Sequence, residues 1–262
     1  MGDLEEALNP GGHVRPTLLA LIALTWTALP LAAQHGTLPH WEYEGTHGPP
    51  NWGTLDTAYR TCLVGKEQSP IDIRHVKSAA LPAITFSYQP SPLTVIDNGH
   101  TIQVIYAPGS FITVGDQRYE LQQFHFHHPA EERVFGKPYP MVAHLVHKNA
   151  AGQLAVVAVL LEEGSPNMLV EKIWRYLPDE QGKEVTPERV SVNAIDLLPS
   201  MRGYFTFSGS LTTPPCSEGV TWFVLKEPTQ VSSEEVATFA KKYPRNARPL
   251  QPVNGRVIRE TP

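Results

Sequence analysis

Short runs of alternating apolar and polar residues dominate this chain from about residue 40 onward. Residues 101–106 (TIQVIY) and 111–114 (FITV) alternate with the period of two that marks a strand with one buried face. Gly115-Asp116 offers a turn before another strand-like run over 117–126. Residues 145–148, the NAAG at 149–152 and LAVVAVLL at 154–161 read as strand, turn and strand. The last run is apolar at both parities, which places it inside a sheet covered on both faces. Only two segments carry a helical pattern. Ser165-Pro166 precedes NMLVEKIWRYL, with a cap residue and then proline at the first helical position. Ser232-Ser233-Glu234-Glu235 opens VATFAKKY as a capping box, with two lysines at the favourable C-terminal end. The pattern predicts a mainly β (α+β) single domain: a large central, mostly antiparallel twisted sheet with a few peripheral helices.

Composition narrows the function classes. With 25 prolines and 19 glycines in 262 residues, a helical bundle or coiled coil is excluded. A hydrophobic content of 41% supplies a core and excludes a disordered chain. The formal net charge is −5 and no basic block occurs, so no nucleic-acid partner is expected. Glycine-rich nucleotide loops are absent from the sequence as well.

Residues 17–31 (TLLALIALTWTALPL) form an apolar run behind Arg15 and ahead of Ala32-Ala33-Gln34. A membrane span needs about 20 residues, so the run reads as a secretory signal over residues 1–33, cleaved after Ala33. An uncleaved anchor is the alternative, and Asp3, Glu5 and Glu6 give the segment an acidic start unlike most signals. The mature domain is then 34–262, periplasmic or secreted, without stable membrane insertion after cleavage. Cys62 and Cys216 are the two cysteines. In an exported protein they read as one disulfide, in the cytosol as two buried thiols.

The chemistry concentrates in residues 122–147, which hold five of the eleven histidines. His125 and His127 leave one face of a strand, while Phe124 and Phe126 leave the other. His144 lies on the next strand-like run. If the two strands pair antiparallel, three imidazoles converge, a set that suits zinc and leaves a fourth tetrahedral position open. His128 and His147 have the opposite parity and cannot join. The alternative is a half-buried strand whose histidines are structural.

With QFHFH and AHLVH, three further motifs carry a resemblance: QSPIDI at 68–73, NGH at 98–100 and SLTTPP at 210–215. Together they resemble an α-class carbonic anhydrase of the bacterial, exported kind, over about residues 40–256. That family is the standard case of a catalytic zinc. The resemblance implies reversible hydration of carbon dioxide to bicarbonate by hydroxide held on a zinc ion (Zn2+) bound by His125, His127 and His144. It implies that Thr212 orients that hydroxide, donating its own proton to Glu131, and that Thr213 helps hold bicarbonate. Val146, Val156, Leu211 and Trp222 match an apolar pocket for carbon dioxide. His100 matches a proton shuttle, with Tyr43, Asn98 and Gln103 ordering the waters. Gln123 and the backbone of Asn246 match partners of His125 and His127. The resemblance also allows a homodimer.

Two positions depart from the family. Glutamate is normal two residues before the last ligand, and this chain has Val142; Glu132 stands where many relatives carry histidine. The expectation is that His144 lacks an acidic partner and leans on water or a backbone carbonyl, or binds metal more weakly. A carbonic-anhydrase-related binding module with weak or no turnover is the second function class.

Overall fold

The computed structural model describes residues 39–262, so the signal expected over 1–33 lies outside the described residues. Seven of the described strands frame the site: β1 (Thr94–Asp97), β2 (Ile102–Ile105), β3 (Gln117–His127), β4 (Met141–Lys148), β5 (Leu154–Glu163), β6 (Tyr204–Ser210) and β7 (Glu218–Leu225). They lie side by side in the order β1-β2-β3-β4-β5-β7-β6, within a sheet of 13 strands among the described residues. Glu184–Val185 extends the β1 edge, and Arg259–Glu260 with Lys77–Ser78 extends the other. Neighbours in the frame pair antiparallel except β5 and β7, which run parallel. The sheet is therefore mixed, with antiparallel pairs in the majority. Residues 164–217 supply the long connection that a parallel pair requires.

Both faces are covered, as the uninterrupted apolar run of β5 requires. Val157, Val159 and Leu161 enter one core with Phe124, Phe126, Ala143 and Leu145. Val156, Ala158 and Leu160 enter the other with Val142, Phe207 and Trp222. The first core is sealed by α1 (Met168–Trp174) and α2 (Ser233–Lys242), through Leu169, Val170, Ile173, Val236 and Phe239. The cap of α1 is Asn167 rather than Ser165: its side chain accepts from the N–H groups of Leu169 and Val170. Pro166 therefore precedes the helix instead of opening it, and the Asn167 backbone N–H donates to the buried Glu235 carboxylate. The capping box of α2 forms as predicted, between Ser232 and Glu235. Two four-residue helices, Trp52–Leu55 and Thr61–Val64, escape the helical pattern because they are too short to show a period.

Strand β3 contains a bulge. His125 faces His144 and Gln123 faces Val146, but His147 then faces Leu121, leaving Gln122 without a partner on β4. On β3, Tyr119 and Leu121 before the bulge and Phe124 and Phe126 after it all reach the same core.

Cys62 and Cys216 form a disulfide with Cα atoms 5.0 Å apart. It ties helix Thr61–Val64 to the loop that follows β6.

Candidate metal centre and active site

Strand register builds the site as two parallel rows across the sheet. In one row Gln103 on β2, His125 on β3, His144 on β4 and Ala158 on β5 stand directly opposite one another. In the adjacent row stand Gln123, Val146, Val156 and Trp222. His127, two residues beyond His125, completes the trio, because alternate residues of a strand share a face. The polar row and the apolar row thus lie side by side on one wall.

The three imidazoles offer nitrogens that lie within 4.8 Å of one another. Each ring is held from behind. His125 donates Nδ1–H to Gln123 Oε1 (2.8 Å) and His127 donates Nδ1–H to the Asn246 carbonyl (2.7 Å). His144 is turned the other way, with Nε2 against the Glu132 carboxylate at 3.1 and 3.2 Å. The nitrogens left free are two Nε2 and one Nδ1. An acidic partner for His144 is therefore present, from the segment between β3 and β4 rather than from β4. Strand parity alone could not show this, because Glu132 lies outside both strands.

Burial holds His125 neutral, pulling its pKa down to about 3, and His144 beside it adds to the effect. His127 is pushed well below its ordinary value by burial and by its two neighbours. Burial also acts against the charged form of His144, but the carboxylates of Glu132 and Glu131 outweigh it and raise its pKa. Burial pushes Glu131 up to about 7, and Glu132 adds to this, while His144, the Arg248 N–H and the Thr212 hydroxyl oppose it. Among the described residues, the buried side-chain atoms left without a hydrogen-bond partner are His127 Nε2 and Glu131 Oε2. They lie 3.6 Å apart, and the same oxygen is 3.9 Å from His144 Nδ1. An orphaned buried nitrogen is costly unless something occupies the point it faces. Three imidazoles whose free nitrogens face one shared point are the donor set that suits zinc.

The cavity over these rings is lined by Tyr43, Asn98, His100, Gln103 and Thr212 as well as Thr213, Val146, Val156, Leu211 and Trp222. Every expected cavity residue thus meets around one space. Glu131 sits behind it, accepting from the Arg248 backbone N–H at 2.7 Å. His128 and His147 stay out: His128 Nδ1 bonds Pro244 O, and His147 lies on the opposite face of β4.

Other residues carry parts of the site without a sequence signal. Trp41 stacks on His100, with centroids 3.6 Å apart and planes 9° from parallel. Burial lowers the pKa of His100, His40 adds to the drop, and Glu42 opposes it. Asn98 Oδ1 accepts from the backbone N–H of His100 and of Thr101, so it shapes the turn that presents His100. Asn246 does more than support His127: its side chain donates to the carbonyls of His100 and Phe126. Only the carbonyl role was open to sequence reasoning.

Residues 47–262 match the family model of the eukaryotic-type carbonic anhydrase. The chain belongs to that family. It is 44% identical to a carbonic anhydrase of Klebsiella pneumoniae, covering 92% of this chain and 97% of that protein. A carbonic anhydrase of Neisseria gonorrhoeae is 43% identical, covering 94% and 97%. Among solved structures, a hyperthermostable carbonic anhydrase from an active hydrothermal vent chimney superposes with a TM-score of 0.83 at 46% identity. That match covers 85% of this chain and all of the other.

Proposed function

We propose that this chain is a zinc carbonic anhydrase whose metal is held by His125, His127 and His144, and that it interconverts carbon dioxide and bicarbonate. The observation that carries the assignment is the trio itself. Each ring spends one nitrogen on a fixed oxygen acceptor and leaves the other facing a shared point. Zinc, when bound there, supplies a Lewis acid that generates a nucleophile from water at neutral pH.

The protein's own residues do the rest. The Thr212 hydroxyl has one proton, and donating it to Glu131 leaves only lone pairs toward the cavity. It therefore accepts from a nucleophile that carries a hydrogen and aims it at the substrate carbon. Val146, Val156, Leu211 and Trp222 keep water from one wall, where an apolar triatomic substrate can sit. Thr213 offers the product a polar contact. His100 takes the released proton to solvent across waters ordered by Tyr43, Asn98 and Gln103, and its lowered pKa lets it unload readily.

Residues 1–33 fit an export signal and 34–262 the mature enzyme, working outside the cytoplasm. The Cys62–Cys216 bridge suits such a compartment. No helix among the described residues is long and apolar enough to cross a membrane.

Metal analysis with stopped-flow carbon dioxide hydration tests the assignment. One zinc per chain with fast hydration is expected. Zinc uptake without hydration would place the chain among binding modules that keep the fold.

A further inference from the structure

Two consecutive glutamates reach the same imidazole from opposite sides. Glu131 lies 3.9 Å from His144 Nδ1, and Glu132 lies 3.1 Å from His144 Nε2. Both acids are buried, Glu132 completely. Their segment is fixed just beyond them, where Arg133–Val134 pairs in parallel with Asp72–Ile73. On β4, two residues before His144 and on its face, Val142 is fully buried in the core that also holds Ile71, Tyr139 and Ala158.

We propose that Glu132 is the positioning residue of the third metal ligand. Its carboxylate accepts the Nε2–H of His144 and thereby fixes the tautomer that leaves Nδ1 free for zinc. This rests on the zinc reading above. It explains how a valine can stand at 142: the carboxylate that would otherwise rise from the strand arrives from the neighbouring segment, and valine fills the apolar space left behind. The arrangement is exclusive. Nε2 carries one hydrogen, so a second carboxylate at 142 would find no proton to accept and would be a buried charge without a partner. Glutamate at 142 should therefore help only when the acid at 132 is gone.

The test is zinc release from the loaded protein to a competing chelator, with thermal unfolding of each variant alongside. E132Q should release zinc about 10–100-fold faster than wild type, the usual cost of losing such a partner. V142E alone should release zinc no more slowly than wild type and should unfold at a lower temperature. E132Q/V142E, with the carboxylate returned from the strand, should regain slow release; this variant also serves if E132Q fails to fold. A purely structural Glu132 would shift unfolding and leave release unchanged. Release from E132Q at the wild-type rate, slower release from V142E alone, or no recovery in the double variant each overturns the proposal. Wild type that takes up no zinc would overturn the zinc reading itself, an outcome separable from the others.

Discussion

Two buried imidazoles stand three residues apart on β4, and they illustrate opposite uses of one side chain. His144 faces the cavity with one nitrogen engaged by Glu132 and the other free. His147 faces the core with both engaged: Nδ1 donates to the Ala155 carbonyl at 3.3 Å and Nε2 accepts from the Tyr88 hydroxyl at 2.8 Å. Both are almost entirely sequestered from solvent. Burial therefore does not mark the functional histidine. The unspent nitrogen does, and it is useful only where others converge with it.

The sharpest way to break this contrast is to remove each ring in turn. His144→Ala should leave zinc well below one per chain and abolish carbon dioxide hydration, while His147→Gln should keep both. Loss of zinc from the His147 variant, or its retention in the His144 variant, would erase the distinction.

Next in effect on turnover is His100. His100→Ala should slow hydration at high substrate by about 100-fold, in the range of lost proton-transfer catalysis, while sparing the low-substrate slope. Added imidazole buffer should restore the rate, since it replaces the relay and leaves the metal ligands untouched. A rate that no buffer changes would show protons leaving by another path.

The remaining two predictions concern stability and should leave hydration at neutral pH nearly unaltered. Burial pulls His147 down to about 3, so between roughly pH 6.5 and 3 the unfolded chain binds a proton that the folded ring refuses. Stability must fall as pH falls through that window, by up to about 1.4 kcal/mol per pH unit for this group. Unfolding free energy measured against pH should be shallower in His147→Gln by about one proton; parallel curves would mean that the ring titrates normally. Reduction of the Cys62–Cys216 bridge, which spans 154 residues, should lower stability by at most about 5 kcal/mol and retain zinc. Zinc loss on reduction would make the bridge part of the metal site.

Much of this was legible before any coordinates. Strand-like runs bounded by turn residues located β3 and β4, an uninterrupted apolar run located β5, and the parity of His125, His127 and His144 put them on one wall. The opposite parity of His147 removed it. The failures have physical causes. Residues 117–121 and 123–127 obey alternation separately but out of phase, because the bulge at Gln122 shifts the facing by one residue. Glu132 and Trp41 act from irregular segments, where no period predicts direction. The cap of α1 was misplaced because Asn167 competes with Ser165 for the role, and its contact with Glu235 is made only when α2 is in place.

The distribution of the site along the chain has a kinetic consequence. Gln123, His125, His127, Glu131, Glu132 and His144 fall within 22 consecutive residues, on two paired strands and the segment between them. Thr212 and Asn246 arrive from far later in the chain, and contacts across long loops form more slowly than local ones. The β3–β4 pair and the segment between its strands thus carry the three candidate ligands and the acceptors of two of them, whereas the Thr212 hydroxyl and the Asn246 carbonyl depend on distant parts of the chain. The local half of the site is therefore expected to order before the distant half, with the threonine loop closing last.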